Sequence, residues 1–201
     1  MVEKIDEVLT FWFGQIEEGF TACDRSALWW GGSAENDRLI ADLFGHKVSQ
    51  ALRGELDNWS ETPRGRLALI ILLDQFTRTI YRGTADAFAG DPHALKLCQE
   101  GRRAGHDQAL EFVERTFFYM PLEHAEDLDC QVQCIDCFEQ MLLEVPGGKK
   151  IQVEGWLDFA FQHQEQIQQF GRFPHRNEVL GRSSTPEELA YLLQSRNRWG
   201  Q

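Results

Sequence analysis

The chain has 201 residues, 42% of them hydrophobic, enough for one well-buried core, and a single all-helical domain over residues 1–201 is the expectation. Thirty-two acidic residues against 20 basic ones give a net charge of −12, so the surface as a whole repels phosphate backbones and anionic lipid, and neither nucleic acid nor a membrane is an expected partner. No apolar run approaches the ~20 residues that span a bilayer. The start Met1-Val2-Glu3-Lys4-Ile5-Asp6-Glu7 lacks the basic-then-apolar profile of an export signal, and five cysteines are an odd number, so a cytoplasmic protein with reduced thiols is expected.

Helix signals recur along the chain and strand signals do not. A first helix is predicted from Val2 to Phe13. The rings Phe11-Trp12-Phe13 and Trp29-Trp30 read as helix-packing anchors rather than a ligand cage, with Gly31-Gly32 supplying a tight turn. Ser33 is placed to cap a helix whose apolar stripe is Leu39, Ile40, Leu43, Phe44, Val48 and Leu52. Thr62-Pro63, Asp91-Pro92 and Thr185-Pro186 each set a capping side chain before a proline at the first helical position, and Thr185 with Glu188 fits a capping box. Leu67 to Leu73 is apolar on every face, which predicts a central helix buried all round.

Further helices are expected over Asp107–Tyr119, Leu122–Glu144 and Lys150–Phe170. Pro121 divides the first two, and Val145-Pro146-Gly147-Gly148 breaks the second from the third. The total is about eight, and the pair on either side of Pro121 is expected to pack as an antiparallel hairpin. Cys130, Cys134 and Cys137 fall on one helical stripe that continues to Met141, the pattern of small hydrophobes facing a core rather than of a zinc site, so no metal is expected.

Three strings concentrate charge, hydrogen-bonding capacity and aromatic rings beside apolar stretches. The first, Asp74 to Thr84, carries Asp74, Gln75, Arg78 and Arg82; the acid and the arginines share one face if the helix continues. An ordinary Asp74–Arg78 intrahelical pair explains the same spacing. The second, Phe117 to Asp127, carries Glu123, His124, Glu126 and Asp127. The stripe Leu128, Ile135, Phe138 and Leu142 extends back to His124, which is expected to point inward. A histidine flanked by carboxylates suits a general base, while acids in a first helical turn are also favoured by the helix dipole alone.

The third string, Phe170 to Asn177, carries Arg172, His175, Arg176 and Asn177. Residues 171–201 hold five arginines against three carboxylates, whereas residues 107–144 hold ten carboxylates and one arginine. An electrostatic match between acidic and arginine-bearing segments is expected, either wholly internal or leaving arginines in a pocket that selects an anion.

These strings, with Leu9-Thr10-Phe11-Trp12-Phe13-Gly14 and Trp29-Trp30, resemble the bacterial domain-of-unknown-function family numbered nine hundred and twenty-four over nearly the whole chain. The resemblance rests on Asp74-Gln75-Phe76, Arg78, Arg82-Gly83-Thr84, Asp91-Pro92, Pro121-Leu122, His124, Glu126-Asp127, Phe170 through Asn177 and Leu180-Gly181-Arg182. Thr77 stands where the family has proline and Ala125 where it has serine. The resemblance implies a tetratricopeptide-like array of antiparallel helix pairs, and it implies no established activity.

Three functions are compatible with these residues. One is a helical binding module whose Arg, His and carboxylate groups hold a small anionic molecule or an acidic protein segment. Another is a hydrolase using His124 or His175 with Glu123, Glu126 or Asp127. The third is a purely structural ion-pair network on an interaction scaffold. There is no nucleophile elbow, P-loop, paired zinc motif or dinucleotide fingerprint, and no cofactor is expected.

Overall fold

The computed structural model describes residues 2–194 and divides the chain into two compact units, Met1–Arg82 with Asp86–Pro121, and Gly83–Ala85 with Leu122–Gln201. Each is taken by itself. Both are helical; Arg196 and Arg198, two of the five C-terminal arginines, lie outside the described residues.

The first unit is built around the apolar run. Helix α1 (Val2–Phe13) buries Ile5, Val8, Leu9, Trp12 and Phe13. A two-residue turn at Glu18 and Gly19, both at positive φ, then closes the short hairpin of β1 (Ile16–Glu17) and β2 (Phe20–Thr21). After the short α2 (Ser26–Trp29), α3 (Ala34–Leu52) starts at Ser33, whose hydroxyl accepts from Asn36 N–H. Of its predicted stripe, Ile40, Phe44 and Val48 are buried, whereas Leu39 and Leu43 are about half exposed.

Thr62 caps α4 (Pro63–Ile70) through Gly65 N–H. The backbone then stays helical through a wider π-type segment (Ile71–Phe76) into α5 (Thr77–Ile80). Every residue from Leu67 to Leu73 is fully buried, and α1, α3 and α6 (Asp91–Arg103) pack around this helix. Gly90 lies so close to it that a Cβ would collide with the Leu73 carbonyl oxygen.

The rings behave as anchors. Trp12 meets Trp29, Phe76 and Phe117 edge-on or tilted, with centroids 5.3 to 6.4 Å apart, and Trp30, half exposed, stacks on Phe117.

Two predicted boundaries are corrected. Asp107–Ala109 is a 3₁₀ turn, and α7 (Phe112–Glu123) starts only after the extended Leu110. Pro121 does not end this helix: its ring holds φ in the helical range, at the cost of the bond from its missing N–H. The stop comes at His124–Asp127, where the Gln131 amide donates to the Leu122, Glu123 and Ala125 carbonyls and so satisfies the helix end.

In the second unit, Asp127 caps α8 (Leu128–Glu144) by accepting from Cys130 N–H. A turn over Val145–Lys149 leads into α9 (Lys150–Phe170), which packs antiparallel to α8 and ends at Gly171, φ 69°. Cys130, Cys134, Cys137 and Met141 are all buried along α8. Thr185 and Glu188 form the predicted capping box on α10 (Pro186–Gln194): Glu188 N–H donates to the Thr185 hydroxyl, and Thr185 N–H to the Glu188 carboxylate. Tyr191 of α10 packs on Phe170. Among the described residues no helix is long and apolar enough to cross a membrane.

Candidate functional site

In the first unit, the π-type segment places Asp74 in the core with no exposed surface, where it accepts from the neighbouring Gln75 amide at 2.6 Å. The same Gln75 nitrogen reaches Met120 Sδ at 3.3 Å. Arg78 lies 3.6 Å from Asp74, as the spacing predicts, but makes its fork to Asp91 at 2.7 and 3.0 Å. Burial works against the Arg78 charge, and Asp74 and Asp91 together overcome it and hold its pKa above the ordinary value.

Asp91 is therefore an ion-pair partner and not the cap that its position before Pro92 suggests; Gly90 occupies the cap. Arg82 leaves the shared face because α5 ends at Ile80. It forks instead onto Asp37 of α3 at 3.0 and 3.1 Å. A separate cleft in this unit, lined by Leu9, Phe13, Ile16, Arg64 and Glu114, includes none of the expected site residues.

In the second unit, parts of the second and third strings come together. Glu126, in the turn before α8, accepts from Phe173 N–H at 2.8 Å and from the fork of Arg182 at 2.6 and 2.9 Å. Burial opposes its charge, but Arg182 and the Phe173 amide prevail and lower its pKa. Arg182 also donates to Asn177 Oδ1 and to the Phe173 carbonyl. Asn177 passes the network on through its amide to Ser184 and to Glu188. Glu188 takes the fork of Arg172 at 2.6 and 2.9 Å, and chiefly for that reason its pKa is lowered to about 2. Asp127, expected at the site, serves as a helix cap.

Beside this lattice lies a cluster of rings. His163 of α9 is buried and stands 6.2 Å from the His124 ring and 5.5 Å from Phe173; Phe173 lies 5.6 Å from His175 and 4.5 Å from the Arg176 guanidinium. His124 sits half-buried in the turn, not on the α8 stripe, because the helix starts at Leu128 and not at the expected Leu122. His163 Nδ1–H donates to the Phe159 carbonyl at 2.9 Å and lies 3.3 Å from the buried Glu123 carboxylate. Burial, followed by the nearby His124, lowers the His163 pKa to about 3, so the ring is neutral at physiological pH despite that carboxylate.

His163, Arg182 and Glu188 complete the cluster without having been singled out as site residues. The spacing of His163 from Ala160 and Ile167 marks it as a histidine on the buried face of α9, but nothing local ties it to Glu123, forty residues away. Among the described residues no group of three or more His, Cys, Asp or Glu side chains is placed to hold a metal ion.

Among curated proteins, none matches this chain. The solved structure of a protein of unknown function from Agrobacterium tumefaciens is similar to it, with 36% sequence identity and a TM-score of 0.82, over 96% of this chain and 99% of that one. The family model described as "Bacterial protein of unknown function (DUF924)" matches residues 8–196. The chain accordingly belongs to this bacterial DUF924 family, whose resemblance its three polar strings carry.

Proposed function

We propose that this protein is a helical binding module whose recognition site is the imidazole cluster of the second unit, His124, His163 and His175 with Glu123 and Arg176, and that its ligand is a small anionic molecule. The observation that carries the reading is the continuous chain of ring contacts from His124 through His163 and Phe173 to His175, with a buried guanidinium over Phe173. His124 and His175 are half-buried and form the rim of the cluster, where an imidazole N–H can donate to a carboxylate or phosphate oxygen.

The arginines have a different role in this reading. Arg78, Arg82, Arg172 and Arg182 each fork onto a carboxylate of their own unit, which supports a structural network for them. The hydrolase reading draws support from one contact, the buried Glu123–His163 pair, since a carboxylate beside an imidazole orients a general base. Titrating succinate against the wild type at pH 6 and pH 8, with melting temperature as readout, tests the binding reading. Saturable stabilisation that is lost in a His124→Gln/His175→Gln double variant is expected. Absence of any response to succinate or inorganic phosphate at either pH overturns it.

A further inference from the structure

Two glutamines on facing helices of the second unit carry buried amide atoms that no protein group satisfies. Gln166 of α9 is 3% exposed, and neither its Oε1 nor its Nε2 has a hydrogen-bond partner; Gln131 of α8 has no exposed surface, and its Oε1 is likewise unsatisfied. Leaving such groups dry is costly, so native proteins pair them with solvent or a ligand.

Their places in the fold bring them to one locality. The α8–α9 turn pairs residues equally far from it, so Gln131, thirteen residues before Glu144, lies level with His163, thirteen after Lys150. Gln166 is three residues, one helical turn, farther along on the same buried face as His163 and Ile167. The Gln131 Nε2 group is anchored on the backbone around Glu123, whose carboxylate touches His163. Gln131 Oε1 therefore lies beside the backbone of Glu123, and Gln166 one turn along α9 from His163, and this locality is taken as the inner end of the imidazole cluster.

The chemistry of that inner end differs from the rim. Glu123 and a neutral His163 make it unfavourable for a second carboxylate. A glutamine amide with both ends available offers one acceptor and two donors side by side, the complement of another primary amide. We propose that Gln166, seconded by Gln131 Oε1, reads a carboxamide on the ligand while the rim holds its carboxylate, so that the ligand class is a small carboxylate bearing a primary amide; this rests on the binding reading above. A site built for such a group discriminates against an isostere that leaves its buried polar atoms unpaired.

Succinate and succinamate share a skeleton and differ only in one carboxylate replaced by a carboxamide. Titration calorimetry on the full chain is expected to give about tenfold tighter binding of succinamate, the equivalent of roughly one hydrogen bond, and Gln166→Leu is expected to erase that preference while retaining succinate binding. Should Gln166→Leu fail to fold, the wild-type side-chain amide signals of Gln166 in a ¹⁵N correlation spectrum supply the second readout, moving with succinamate and not with succinate. Equal binding of both compounds, or a preference that survives Gln166→Leu, overturns this inference and leaves the binding module standing. If neither compound binds, the binding reading falls and this inference with it.

Discussion

Arg172 and Glu188 face each other across the segment that joins α9 to α10, and both guanidinium nitrogens in the fork, at 2.6 and 2.9 Å, meet the carboxylate that also closes the capping box of α10. One carboxylate thus ties the third polar string to the final helix. Glu188 is almost wholly buried while Arg172 keeps part of its surface in solvent, so the two ends of the pair are not equivalent.

Removing Arg172 leaves Glu188 with Asn177 and Thr185 N–H as partners rather than with none. Arg172→Ala is accordingly expected to lower the urea midpoint, but by less than stranding an isolated buried charge would. The response to succinate should survive, because Arg172 belongs to the structural network in the reading proposed here. A variant that melts like the wild type but loses the succinate response would move Arg172 into the binding site.

His163 and Glu188, whose pKa values are moved furthest, shape the acid side of the stability profile in the same direction, and Glu126 adds to it. His163 has a folded-state pKa of about 3 against 6.5 for the free side chain, so its contribution is complete above pH 6.5 and is lost as pH falls toward 3, with a slope approaching about 1.4 kcal/mol per pH unit. Glu188, at about 2 against 4.5, adds a contribution complete above pH 4.5 and lost between there and pH 2. His163→Asn, which keeps a donor for the Phe159 carbonyl, should flatten the decline between pH 6.5 and 4.5, and Glu188→Gln only the decline below it. Chemical denaturation at half-unit steps of pH separates the two.

Four of the five thiols, those of Cys98, Cys130, Cys134 and Cys137, are buried, and Cys23 is exposed. A thiol reagent such as Ellman's should therefore titrate one cysteine quickly in the folded protein and the other four only on unfolding. Cys134→Ala removes a fully buried sulfur and should lower stability by about 1 kcal/mol through lost packing. Rapid release of three or more equivalents from the native protein would contradict the buried stripe.

Gly90→Ala tests the close approach of the chain to the central helix. Because the added methyl meets the backbone carbonyl of Leu73 and not a movable side chain, relief requires shifting the start of α6, at a cost of about 3 kcal/mol. Gly83→Ala, where a Cβ has open space, is a control that probes only the strain of a positive φ. A larger loss of melting temperature at Gly83 than at Gly90 would be inconsistent with this packing.

Local chemistry in the sequence was sufficient for much of the fold. The three/four spacing of apolar residues, the side-chain caps Ser33, Thr62 and Thr185, the all-apolar run Leu67–Leu73 and the cysteine stripe each act within a few residues, so reading along the chain recovers them. Reading along the chain failed where a distant partner outcompeted a local one. Asp91 looks like a cap until Arg78 claims it, Arg82 fits the face of Asp74 until the helix stops and Asp37 takes its charge, and Pro121 looks like a boundary until Gln131 satisfies the carbonyls beyond it.

The site divides in the same way. That Glu123, His124, Glu126, His175, Arg176 and Asn177 would need polar partners was legible from their density in short strings, because charge beside core must be paired. Their pairing was decided by tertiary structure: His163 reaches Glu123 only because α9 folds back along α8, and Arg182 reaches Glu126 only because the chain turns after Phe173. Desolvation, which drives the His163 pKa down, is a property of everything packed around a group, and no window of sequence contains it.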